Sequence, residues 1–232
     1  MQPIAPQDRL IVALDVPDSA TARALVERLG DSVHFYKMGL ELFMAGDYYG
    51  LLEWLRAQGK QVFVDLKFFD VPATVARAVR QLRGRGITFA TVHGNDAIMQ
   101  AAAEAKGDVK ILAVTVLTSL DRGDLDHLGF DCDVEALVLS RARRAVALGC
   151  DGVVASGQEA AALRAALGTG FLIVTPGIRP VTNDDDQKRV VTVETAFSSG
   201  ADYIVIGRPI RDAEHPRAAA QRIQRQIADY FS

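Results

Sequence analysis

Short runs of apolar and β-branched residues recur along the chain at 10–14, 35–38, 61–66, 87–92, 110–117, 152–155, 171–175 and 203–206. Each has the length of a buried strand. Between them lie segments rich in Ala, Leu, Arg and Glu whose apolar positions recur at helical spacing, as at 19–29, 51–58, 71–82, 96–106, 134–148 and 158–167. Strand and helix therefore alternate, which implies a parallel sheet with helical crossovers.

The 232 residues leave about 29 for each of eight such units, enough for a strand, a helix and two short loops. The expected fold is α/β: an eight-stranded parallel (β/α)8 TIM barrel forming a single domain over 1–232. An open doubly wound sheet is the runner-up. Its G-x-G-x-x-G signature is absent after the first strand, where the chain reads Asp15-Val16-Pro17-Asp18, and a Walker-type phosphate loop is absent too. No linker divides the chain; Gly168-Thr169-Gly170 reads as a turn between a helix and a strand. The longest polar interruption, 179–189, contains Asp184-Asp185-Asp186, and a lid loop is expected around 178–191.

Composition narrows the class of function. With 49% hydrophobic and 24% charged residues the chain is neither disordered nor fibrous. Its 26 basic and 29 acidic residues, a net charge of −3, are too balanced for generic attraction to nucleic acid or to a membrane surface, so neither partner is expected. Cys132 and Cys150 show neither metal-ligand spacing nor the array of a disulfide scaffold, which points to a reducing cytoplasm. Residues 1–8 lack the basic and apolar regions of a signal peptide, and no apolar run approaches the ~20 residues of a membrane span.

In a barrel of this kind the chemistry gathers at the C-terminal ends of the strands, so charges that close an apolar run carry the most information. The first run ends in Asp15, the second holds Lys37 and the fourth ends in His93. The third closes with Asp65-Leu66-Lys67, which on a strand puts Asp65 and Lys67 on one face, where burial would force them to pair. Asp70, just before Val71-Pro72, is near enough to join them or serves only as a helix N-cap. Asp15 reads alternatively as a turn former. The lysines and Asp65 read alternatively as a structural ion pair, although buried charge is seldom kept for stability alone. His93 is either a satisfied barrel histidine or a ligand or base. Trp54 and Phe68-Phe69 read as packing.

A second informative region closes the chain. Gly177-Ile178-Arg179-Pro180 follows the seventh run and Gly207-Arg208-Pro209 follows the eighth. Loops at these places in such barrels often bind phosphate: glycine lets backbone N–H groups approach, and arginine grips with two prongs. The alternative is that Arg179 and Arg208 are solvated surface residues.

The segment Asp65-Leu66-Lys67-Phe68-Phe69-Asp70-Val71-Pro72-Ala73-Thr74 resembles the D-x-K-x-x-D motif of the orotidine 5′-monophosphate decarboxylase family. Leu14-Asp15, Lys37-Met38-Gly39, the run from Val114 to Ser119, Pro176 to Pro180, Asp186-Gln187 and Gly207-Arg208-Pro209 occur in the family's order and span nearly the whole chain. The resemblance implies a TIM barrel that decarboxylates orotidine monophosphate (OMP) to uridine monophosphate (UMP) without metal or organic cofactor, as a cytoplasmic homodimer in pyrimidine biosynthesis. It further implies that Lys67 is the proton donor, within a charge network of Asp65, Lys37 and Asp70, and that Asp70 and Thr74 reach across the subunit interface. Asp15 and Lys37 would contact ribose, Thr118 the pyrimidine, Gln187 would sit on the lid, and Arg179, Gly207 and Arg208 would grip phosphate.

The chain departs from the commonest family pattern at Phe69, Ala73 and Val193, where His, Asn and Pro are usual, and no departure removes a charged group. Two other readings remain: a Mg2+-dependent phosphosugar reaction with Asp65 among the ligands, and a nucleotide-binding module without catalysis.

Overall fold

The computed structural model describes residues 3–178 and 190–232. Its elements, in chain order, are β1 (Leu10–Ala13), α1 (Ser19–Leu29), β2 (Phe35–Met38), α2 (Leu40–Ala45), α3 (Tyr48–Ala57), β3 (Gln61–Phe68), α4 (Pro72–Arg80), β4 (Phe89–Val92), α5 (Asp96–Ala105), β5 (Lys110–Val114), α6 (Arg122–His127), α7 (Val134–Ala147), β6 (Gly152–Val154), α8 (Gly157–Leu167), β7 (Leu172–Thr175), α9 (Val193–Ser198), β8 (Tyr203–Ile206), α10 (Arg208–Arg211) and α11 (Pro216–Tyr230). All eight strands pair in parallel with their sequence neighbours, and β1 pairs with β8 to close the barrel. The expected eight-stranded parallel (β/α)8 barrel is the one observed.

Side chains alternate along each strand, which separates two cores. Leu10, Val12, Tyr36, Val62, Val64, Ile111 and Ile204 face outward into the layer shared with the helices. Ile11, Phe35, Phe63, Phe89, Leu112, Leu172 and Tyr203 face inward. Phe89 packs against Phe35, Phe63 and Tyr203 with ring centroids 5.2, 5.8 and 5.1 Å apart, making an aromatic floor across the barrel.

Two residues above this floor the same inward face becomes polar: Lys37 above Phe35, Asp65 above Phe63 and Thr91 above Phe89. The runs looked uniformly apolar because both faces are buried, yet the last inward position of several strands is reserved for a polar group. That change of character builds the floor of a pocket.

Element ends differ from expectation by a few residues. The run at 110–117 stops being strand at Val114, and the next residue, Thr115, sends both its amide and its hydroxyl to the Val154 carbonyl. The expected helix at 71–82 is Pro72–Arg80. Most of the expected lid, including Arg179 and Gln187, lies outside the described residues, but its two ends meet in a bridge between Ile178 and Val191. Among the described residues no helix is long and apolar enough to cross a membrane.

Candidate active site

The C-terminal mouth of the barrel holds a pocket of about 280 Å³. Asp15, Lys37, Asp65, Lys67, Thr118, Gly207 and Arg208 all line it, although they come from five different stretches of sequence. Four of them form a row of alternating charge. Lys37 Nζ lies 2.9 Å from Asp15 Oδ1 and 3.4 Å from Asp65 Oδ2, and Lys67 Nζ lies 3.0 Å from Asp65 Oδ1. The Lys37 and Asp65 side chains are each only 12% exposed, so neither charge could stand there alone.

The electrostatics agree with the geometry. Burial works against the Asp65 carboxylate, but the Lys37 and Lys67 ammoniums, helped by hydrogen bonds from Lys67 and Thr91, overcome it and hold the carboxyl below its ordinary pKa. Burial likewise opposes the Lys37 ammonium, and Asp65 and Asp15 outweigh it and raise its pKa. Gly39 leaves room for this pairing: a Cβ there would lie 3.2 Å from Lys37 Nζ and 3.3 Å from Asp15 Oδ1.

Asp65 and Lys67 pair as expected, but not on a regular strand. Val64 faces Ala90 and Phe68 faces Val92, so β3 bulges away from β4 between them. Lys67 sits in the bulge with φ +49°, a left-handed conformation uncommon outside glycine. The bulge aims the Lys67 ammonium at the pocket rather than along the sheet.

Asp70 does not join this row within the chain. It is exposed, and its carboxylate accepts the Val71 amide at 2.6 Å. Nor is it the N-cap of α4: that position is Val71, with Pro72 as the first helical residue, so the expected cap falls one residue early. Thr74 is half-buried on α4 and its hydroxyl accepts from Arg77. Phe69 and Val71, on either side of Asp70, are 68% and 63% exposed. His93 bonds the Val114 carbonyl through Nδ1, and burial lowers its pKa despite that bond, so it reads as a satisfied barrel histidine.

Two site residues escaped the sequence reading. Arg211 lines the pocket, donates to the Asp15 carbonyl at 2.5 Å and forks onto Asp212. Its signal was the spacing of three from Arg208, which on a helix brings two side chains to one side. Thr91 reaches Asp65 from β4 and looked like an ordinary strand threonine. Because Asp65 already pairs with two ammoniums and accepts from a hydroxyl, it is poorly placed as a metal ligand.

A family model described as "Orotidine 5'-phosphate decarboxylase / HUMPS family" matches residues 8–223. The chain is 66% identical to the orotidine 5'-phosphate decarboxylase of Methylococcus capsulatus, over 100% of this chain and 96% of the relative. It is 54% identical to that of Stenotrophomonas maltophilia, over 97% and 95%. The crystal structure of orotidine 5'-phosphate decarboxylase from Lactobacillus acidophilus superposes with a TM-score of 0.83 at 35% identity, covering 95% of this chain and 99% of the other.

Proposed function

Since the chain belongs to the orotidine 5′-phosphate decarboxylase / HUMPS family, we propose that the charge row at the mouth of the barrel is where it converts orotidine 5′-monophosphate to UMP and CO2. The activity is that of a carboxy-lyase in pyrimidine biosynthesis. The observation that carries the site assignment is the row Asp15, Lys37, Asp65, Lys67, with successive contacts of 2.9, 3.4 and 3.0 Å and its two central members buried.

Breaking the bond between C6 of the pyrimidine and its carboxylate leaves the electron pair on C6, where the ring barely delocalises it. The protein must therefore stabilise that charge itself. Lys67 sits beside the developing carbanion as an ammonium, and one of its protons passes to C6 to complete UMP. The amine then regains a proton from solvent.

Asp65 faces the departing carboxylate, and two like charges about 4 Å apart repel by about 4 kcal/mol at an effective dielectric near 20. That amounts to roughly a thousandfold in rate, against accelerations of up to ~10^17 known for enzymes. Stabilisation of the transition state by Lys67 is accordingly the larger contribution, and Asp65 serves chiefly to orient it.

The remaining assignments follow the family resemblance, and the lining of the pocket by Asp15, Lys37, Thr118, Gly207 and Arg208 supports them. Asp15 and Lys37 hold the ribose, Thr118 meets the pyrimidine, and Gly207 and Arg208 hold the phosphate. Arg179 and Gln187 complete the phosphate grip from the lid around 178–191. One domain spans 1–232. Asp70 and Thr74 serve the neighbouring site of a homodimer, a reading supported by the exposed carboxylate of Asp70 and the exposed apolar side chains beside it. The cytoplasm is the compartment, in keeping with two free cysteines.

The test mixes chelator-treated protein with orotidine monophosphate and follows the fall in ultraviolet absorbance. Turnover is expected to survive the chelator and to vanish in Lys67→Ala while UMP binding persists. Substantial activity in purified Lys67→Ala would remove the role given to that residue.

A further inference from the structure

We propose that Thr91 is a positioning residue for the decarboxylation, the joint that holds both Asp65 and Lys67 at the reacting end of β3. The inference rests on the reading of Lys67 as proton donor.

Thr91 is completely buried on β4. Its hydroxyl donates to Asp65 Oδ1 at 2.9 Å and accepts from the Lys67 backbone amide at 2.9 Å. One small group thus touches both members of the central ion pair, and a hydroxyl is suited to this because it is donor and acceptor at once.

The bulge explains why such a group is needed. Where β3 loses register with β4, the Lys67 amide goes to the Thr91 hydroxyl instead of a ladder carbonyl. That bond holds Lys67 at φ +49°. The hydrogen bond that the Thr91 hydroxyl donates to Asp65 fixes the carboxylate oxygen that also accepts from Lys67 Nζ. Backbone and ammonium of Lys67 are therefore located from one anchor, on a neighbouring strand, beneath the pocket. Without the hydroxyl, the amide and the carboxylate each lose a buried partner, and both relax towards other contacts.

The test compares Thr91→Val, which keeps the shape and removes the hydroxyl, with Thr91→Ser, which keeps the hydroxyl, beside Lys67→Ala. Thr91→Val is expected to lose about 100-fold in kcat, the scale of a displacement near 1 Å, with KM for orotidine monophosphate within about threefold of the parent. Thr91→Ser is expected to recover most of that rate. An unchanged kcat in Thr91→Val, a loss carried by KM alone, or Thr91→Ser as slow as Thr91→Val would overturn the proposal while leaving Lys67 in place. Activity in Lys67→Ala would overturn the underlying reading instead. If circular dichroism shows Thr91→Val unfolded, Thr91→Ala takes its place against Thr91→Ser with the same expectation.

Discussion

A single carboxylate, Asp65, stands between two ammoniums, and its titration governs how the site responds to acid. Its folded pKa is depressed, so its contribution to stability is complete above the unfolded value near 3.8 and fades as pH falls through the folded value. Lys37 has a raised pKa, so its contribution is complete below 10.5 and fades as pH rises through the folded value. The gap in urea stability between the parent and Asp65→Asn is expected to be widest between about pH 5 and pH 9 and to close in acid below about pH 4. A gap that persists undiminished down to about pH 2 would contradict the pairing. Arg208 lines the same pocket, and Arg208→Ala is expected to impair turnover of the phosphorylated substrate by about 100-fold or more while barely changing that of the bare nucleoside orotidine, since a charged hydrogen bond lost from phosphate is worth about 3 kcal/mol. Parallel kinetics on both substrates decide it, and equal losses would remove the phosphate role. Lys37, Asp65 and Lys67 could be read from sequence because a charge closing an apolar run is conspicuous. Thr91 could not, because β-branched residues are what strands ordinarily contain.

Among the elements, β3 and β6 show how local geometry serves the barrel. β3 ends in a bulge that the residue pattern did not reveal, since alternation predicts a regular strand through Lys67. β6 begins with Gly152, where a Cβ would lie 2.4 Å from the Leu172 carbonyl oxygen and 2.6 Å from its Cβ. Backbone cannot yield as a flexible side chain would. Gly152→Ala is therefore expected to cost about 1–3 kcal/mol and to lower Tm by several degrees while kcat stays near the parent value. Thermal unfolding with parallel assays checks this, and an unchanged Tm would show that the strands separate freely there. Strands at 35–38 and 203–206 and the helix at 19–29 match their expected bounds, because burial on the strands and an Asp18 cap on the helix mark those ends locally.

For the whole molecule, the aromatic floor fills the lower barrel, so the pocket lies at the C-terminal mouth and every site residue must be brought there by a strand end or its loop. Asp70 is exposed and does not line that pocket in its own chain, and mixed subunits test whether it serves another. Lys67→Ala and Asp70→Ala are each expected to be inactive. After subunit exchange, hybrids contain one site with both residues intact only if Asp70 crosses the interface, so activity should reappear on mixing. A mixture that stays inactive would return Asp70 to its own subunit. The alternation of strand and helix, the charges closing the apolar runs and the paired glycine and arginine junctions were readable along the chain, because periodicity and burial act over a few neighbouring residues. The row from Asp15 to Lys67, the hand of Thr91 on its centre and the clasp of Arg211 on Asp15 came from closure of the barrel. Those contacts join residues distant in the chain, and their distances and directions exist only once the eight strands have met.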